Sequence, residues 1–271
     1  MSLLEALVLG IVQGLTEFLP VSSSAHLVLV PELLGWEQPS LPYVVLLHAG
    51  TLLALLVYFR NELIETLRGM MRPGPARRFI LLLIAGTLPA AVIGVVFEEQ
   101  LEASFGEPFQ VALQLIITGL ILVGIEILIR RRPAPPEEPA ALTGLDGLVD
   151  QLSPAKAAAV GLAQAFAIVP GISRSGATIA AGLLAGLSRA QAARFSFLLS
   201  IPILFGTTLF KVPDLAGGSV GTPALVVGFV ASLVTGYLAI AGTISFLQRR
   251  GLLSFAAYCI VAGAVTAILL S

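Results

Sequence analysis

The chain has 271 residues, of which 57% are hydrophobic and 11% charged, with a formal net charge of −1. A water-soluble domain carries about 25% charged residues, so the composition excludes one and describes an all-α polytopic membrane protein. The net charge says nothing about nucleic acid, but no basic block with interleaved aromatics appears, so none is expected as a partner. The single Cys259 excludes a disulfide framework and a cysteine-held metal.

No Lys or Arg precedes Arg60. The amino terminus lacks the basic region of a secretory leader, so no cleaved signal is expected. Residues 3–35 are apolar but broken by "LPVSSSA". A spanning helix needs about 20 mainly apolar residues, and each side of this break is too short. Irregular backbone at membrane depth survives only when buried in protein or lining a wet cavity. The stretch is therefore expected to be a re-entrant helical hairpin. Three uninterrupted spans follow, at about 42–59, 79–97 and 108–129. A Pro-rich polar segment, 133–155, links the halves. Residues 157–187, broken by "VPGISRSGA", form a second expected hairpin, and spans at about 190–209, 222–247 and 251–270 complete the chain. The expected architecture is thus six transmembrane helices plus two re-entrant hairpins, in one membrane domain covering 1–271. Half one covers about 1–130, the linker about 131–156, and half two about 157–271.

Arginines crowd alternate connections: Arg60, Arg68, Arg72, Arg77 and Arg78, then Arg130, Arg131 and Arg132, then Arg189, Arg194, Arg249 and Arg250. The positive-inside rule makes those ends cytoplasmic. The first hairpin then opens outward and both termini lie outside. "GIVQGLTEFLPVSSSA" from Gly10 resembles "GLAQAFAIVPGISRSGA" from Gly161, with Gln13 matching Gln164 and Pro20 matching Pro170. An odd number of spans per half makes this an inverted repeat, a design that places its site where broken helices meet.

The polar residues at the breaks carry the chemistry. The second helix of each hairpin starts just after its break, with unpaired N–H groups and the positive end of its dipole turned inward. Two such ends make an anion site. Ser22, Ser23, Ser173 and Ser175 either cap those helices or donate to the anion. Arg174, costly at membrane depth, suits phosphate through its planar fork; a structural pair with Glu17 is the plainer alternative. Glu17 is a candidate to hold a divalent cation or take a proton. His26 follows Ser23 by three residues and Ser22 by four, the spacing of a Ser–His nucleophile pair on one helical face. His48 is either structural or a support to the site. Gln13 and Thr178 either line the cavity or satisfy kinked backbone. The residues point to a lipid-borne phosphate ester or anhydride, and leave cleavage and transport both open.

"QGLTEFLPVSSSAH" and "PGISRSGAT" closely resemble the two signature segments of the bacterial undecaprenyl-diphosphate phosphatase family of bacitracin-resistance type. Gln13 and Glu17 match its first element; Pro170, Gly171, Ser173, Arg174, Ser175 and Thr178 match its second. "LLHAGTLLALLVYFR" resembles its third helix. Gln stands at 13 where many members have Glu. The signature of the other lipid phosphatases is absent as a set. The resemblance implies hydrolysis of undecaprenyl diphosphate with a divalent cation, Mg or Ca, for which Glu17 and Gln13 are the candidate ligands. It also implies a bacterial plasma-membrane protein with its site facing outside. Glu17, Ser23, His26 and Arg174 are then the expected catalytic residues. Gln13, Ser22, Ser173, Ser175 and Thr178 are the expected substrate contacts. Transport of a polyprenyl phosphate is the competing function. Beyond the polyprenyl diphosphate and membrane lipids, a homodimer partner is compatible with the sequence.

Overall fold

The computed structural model describes residues 1–97, 107–131, 145–169, 171–211 and 220–271. Among these residues there are twelve helices and no strand. The first hairpin is α1 (Leu3–Phe18) and α2 (Ser23–Leu34); α3 (Leu41–Tyr58), α4 (Arg60–Gly69), α5 (Pro75–Val96) and α6 (Pro108–Arg130) follow. The second half comprises α7 (Leu145–Gln151), the hairpin α8 (Pro154–Phe166) and α9 (Arg174–Leu184), then α10 (Arg189–Lys211), α11 (Thr222–Arg250) and α12 (Leu253–Leu269).

Five helices, α3, α5, α6, α10 and α11, are long and apolar enough to cross a membrane. The sixth expected span, α12, is a shorter apolar helix of 17 residues, about 26 Å at 1.5 Å per residue. The hairpin helices have 16, 12, 13 and 11 residues and fall short of the roughly 30 Å hydrocarbon core. The lipid-facing surface is apolar: Leu81, Ile84, Leu88, Val92 and Val95 of α5 are all exposed. In water such a stripe would be an aggregation hazard; in a bilayer it is the solvent contact.

Local chemistry sets the boundaries. Ser2 and Glu5 form a capping box at the start of α1. Leu19 is extended before Pro20, as the residue before a proline must be, and the helix stops there. Pro42, Pro75, Pro108, Pro154 and Pro223 stand in first turns, where the missing N–H costs nothing. Gly35 closes α2 in the left-handed conformation.

Two helices lie where the sequence suggested connection. α4 occupies the Arg-rich segment after α3, and α7 falls inside the expected 133–155 linker, packed against α5. Both are short, so neither shows the long apolar run that marks a span. The linker's residues 132–144, the loop 98–106, residues 212–219 and Pro170 lie outside the described residues.

The two halves pack reciprocally. α1 lies against α11 of the second half, and its counterpart α8 lies against α5 of the first; α6 of the first half packs on α12 of the second. Glycines make these crossings close. A Cβ on Gly10 would stand 2.5 Å from the Gly228 carbonyl oxygen, and one on Gly161 would stand 2.4 Å from that of Gly86. One constant offset in residue number relates Gly10 to Gly161, Gln13 to Gln164, Ser22 to Ser173 and Ser24 to Ser175. That offset pairs Pro20 with Gly171 rather than with Pro170. Gly161→Ala therefore forces backbone apart, and overpacking of this kind costs about 1–3 kcal/mol. Its apparent Tm in detergent should fall by roughly 2–10 °C. Gly124→Ala, where a Cβ meets nothing within 4 Å, should leave the Tm unchanged in the same melts.

Candidate active site

Glu17 stands in the last turn of α1, just before the chain breaks at Pro20. Its side chain is 4% exposed, and four elements converge on it. Gln13, one turn earlier on α1, donates Nε2–H to Oε2 at 2.9 Å. Ser23, the first residue of α2, donates its hydroxyl to the same oxygen at 2.6 Å. Arg174, the first residue of α9, donates from Nη2 to Oε1. His48 of α3 brings Nε2 to 3.5 Å from Oε2. The carboxylate thus sits between the amino ends of α2 and α9, whose dipoles present positive charge to it.

Each helix start is fixed by its own serine. Ser22 caps α2 by accepting from Ala25 N–H at 3.3 Å, and Ser173 caps α9 by accepting from Gly176 N–H at 3.0 Å. Among the described residues, Ser22 is the one non-glycine with positive φ, 67°. Such a conformation costs about 1–3 kcal/mol and persists only where surroundings hold it. Here it aims the Ser22 carbonyl at His26. The two turns are then stitched together reciprocally. Gly171 N–H donates to Ser24 Oγ at 3.3 Å, and Ser175 Oγ–H donates to the Leu19 carbonyl at 2.8 Å. These two bonds hold Ser23 and Arg174 on the same carboxylate from opposite halves of the chain.

Several expected roles change. The Ser23–His26 pair does not form. Ser23 turns to Glu17, while His26 Nδ1 lies 2.7 Å from the Ser22 carbonyl and Nε2 lies 2.7 Å from the Tyr258 hydroxyl. Helical spacing places both on neighbouring surface, but a residue at the very start of a helix points back over the preceding turn. Thr178 does not line the site. Its hydroxyl bonds back to the Arg174 carbonyl at 2.8 Å and to Ser196 Oγ at 2.6 Å, so it braces α9 against α10. Ser22 and Ser173 serve as caps, and Ser175 as a tie to the first hairpin. The Arg174–Glu17 pair does form, yet it leaves Arg174 Nη1 buried without a partner.

A family model described as "Bacitracin resistance protein BacA" matches residues 6–265. The chain belongs to that family. It is 42% identical to an undecaprenyl-diphosphatase of Pelobacter propionicus, with 100% of this chain and 98% of the relative aligned. Identity is 43% to an undecaprenyl-diphosphatase of Pelotomaculum thermopropionicum, with 99% and 97% covered. It is 42% to one of Rubrobacter xylanophilus, with 100% and 99% covered.

Two further residues complete the site in this member of the family. His48 reaches the carboxylate; its Nδ1 is committed to the Val44 carbonyl at 2.8 Å, so Nε2 faces Glu17. Tyr258, on α12, was not marked by any motif. Beyond the site, Glu126 is fully buried and accepts from Arg189 at 2.8 and 3.0 Å, from Arg130 at 3.0 Å and from Leu252 N–H at 3.1 Å. Arg194 pairs with Glu62 and lies over the Phe59 ring. Arg189 and Arg194, read from sequence only as topology markers, clamp α10 to α6 and α4, and Glu126 itself ties in the start of α12.

The donor set tests the implied cation. Among the described residues no three His, Cys, Asp or Glu side chains gather to hold a metal. Glu17 is one carboxylate, and Gln13 Oε1 is a buried acceptor without a partner. That set fits a hard cation held by one or two protein oxygens plus substrate phosphates, as Mg commonly is, and not an all-protein cage.

Proposed function

We propose that this protein hydrolyses undecaprenyl diphosphate to undecaprenyl phosphate and inorganic phosphate, which recycles the cell-wall carrier lipid and confers bacitracin resistance. The observation that carries the chemistry is the shared carboxylate: Ser23 and Arg174, from opposite halves of the chain, both hydrogen-bond Glu17. Full-length relatives named undecaprenyl-diphosphatase supply the substrate.

The terminal phosphate enters beside Arg174, whose unpartnered Nη1 and neighbouring Nη2 grip two of its oxygens bidentately. As Nη2 turns to phosphate, Glu17 loses its counter-ion and becomes a better proton acceptor. The Ser23 hydroxyl transfers its proton to Glu17 Oε2 as Oγ attacks the terminal phosphorus. The bond from that phosphorus to the bridging oxygen breaks, and undecaprenyl phosphate leaves. Water then cleaves the phosphoseryl ester: His26 takes a proton from the water, Ser23 Oγ leaves and takes back the proton held on Glu17, and the proton on His26 passes to the departing phosphate. Gln13 Oε1, with the substrate's phosphates, would hold a divalent cation that neutralises charge on the transferring group while Glu17 takes the proton. Such transfer depends mainly on positioning and electrostatics.

Side-chain exposures of 17% for Arg174 and 21% for His48, against 4% for Glu17, describe a carboxylate reached past a cation and an imidazole. With the Arg-rich ends cytoplasmic, this approach lies on the outer face of the bacterial plasma membrane. The competing function, transport of a polyprenyl phosphate, draws on the inverted repeat. Purified protein in detergent, where no two sides exist, separates the two. Phosphate release from a short-chain prenyl diphosphate with Mg, lost in Ser23→Ala, is the expected result. No release in detergent, with lipid movement in proteoliposomes, would overturn the phosphatase.

A further inference from the structure

We infer that Tyr258 is a positioning residue for His26: it holds the basic imidazole nitrogen and fixes where that nitrogen points. His26 Nδ1 lies 2.7 Å from the Ser22 carbonyl oxygen, which can only accept. Nδ1 therefore carries the proton of the neutral ring. Nε2 then holds the lone pair, and it lies 2.7 Å from the Tyr258 hydroxyl, which donates. The two rings are nearly coplanar in orientation, 7° apart, with centroids 5.6 Å apart. The Ser22 cap of its own helix thus sets the tautomer of His26, and Tyr258, from α12, sets the plane of the ring.

The anchoring is double. α12 also approaches the first turn through Cys259, whose Sγ lies 3.7 Å from the Pro20 carbonyl. Adjacent residues of α12 therefore meet the break of the first hairpin at Pro20 and the imidazole beyond it. Tyr258 differs from its buried neighbour in being 47% exposed. A buried tyrosine hydroxyl needs a partner to satisfy it, but one so exposed does not, and it still selects Nε2. Its ring stays at the edge of the protein while its hydroxyl caps the nitrogen through which His26 acts. When water takes the place of the phenol at Nε2, His26 is already in the tautomer that accepts its proton.

The kinetic consequence rests on the proposed phosphatase reading, while the tautomer does not. The chain has two histidines, His26 and His48, so selective ¹⁵N-histidine labelling in nanodiscs gives two imidazoles; His26→Ala identifies its own. The wild type should show His26 protonated at Nδ1, with a hydrogen-bonded, unprotonated Nε2. Tyr258→Phe keeps the ring and removes the donor. Its Nε2 resonance should move downfield towards that of a free basic nitrogen, and kcat on a short-chain prenyl diphosphate should fall about tenfold with KM within twofold, the loss expected for one hydrogen bond. His26→Ala combined with Tyr258→Phe should be no slower than His26→Ala alone, because the two act as one unit. An unmoved Nε2 signal, a kcat within twofold of wild type, or multiplicative losses in the double variant would overturn the inference. Absence of phosphate release from the wild type would instead sink the phosphatase reading, and the nitrogen shifts would still decide the Tyr258–His26 bond.

Discussion

Arg174→Ala is expected to lower turnover by about 10²-fold or more, the usual loss when one donor to developing charge is removed. Arg174→Lys should recover little of it. A lysine ammonium is a point charge and cannot grip two phosphate oxygens through a planar fork. The variant also has a folding consequence. It leaves the buried Glu17 carboxylate without its cation, and breaking a buried pair from one side costs about 3–5 kcal/mol. Arg174→Ala should therefore melt earlier than wild type. Adding Glu17→Gln removes the uncompensated charge, so the double variant should regain much of the Tm and none of the turnover. Melting curves and steady-state kinetics on the three proteins would measure both. Near-normal phosphate release by a folded Arg174→Ala would make the residue structural and displace the proposed site.

Ser23→Ala should be the most damaging single change, with turnover down by at least about 10³-fold, as for the loss of a nucleophile. The coupling partner is Glu17. The 2.6 Å bond joins Ser23 to that carboxylate, so Ser23→Ala with Glu17→Gln should be scarcely worse than Ser23→Ala alone. Folding should change little in Ser23→Ala, because Ser22, not Ser23, caps α2. Independent, multiplicative losses would mean that the serine and the carboxylate act in separate steps.

The parts of this site legible in sequence were those that membrane burial makes expensive. A carboxylate and a guanidinium inside apolar runs, each beside a Pro- and Ser-rich break, mark Glu17 and Arg174 without any structure. The same breaks, with their lengths, gave the two hairpins. The pairing of Ser23 with His26 was misread because helical spacing reports a shared face but not the direction of a residue that opens the helix. Tyr258 and the Gly171–Ser24 tie are contacts between residues far apart in the chain. Nothing local in "AAYCIV" distinguishes a tyrosine that holds an imidazole from one that faces lipid. Likewise Arg189 and Arg194 obey the positive-inside rule whether or not a glutamate waits for them. Their partners, Glu126 and Glu62, are set by the packing of α10.

Rapid quench of the enzyme with a short-chain prenyl diphosphate labelled at its terminal phosphate, followed by peptide mapping, tests the shared-carboxylate site most directly. The predicted result is an acid-stable phosphoserine at Ser23, formed within one turnover, absent in Ser23→Ala and strongly reduced in Glu17→Gln. Label on His26, or turnover of wild-type protein with no covalent intermediate while Ser23→Ala stays active, would contradict it.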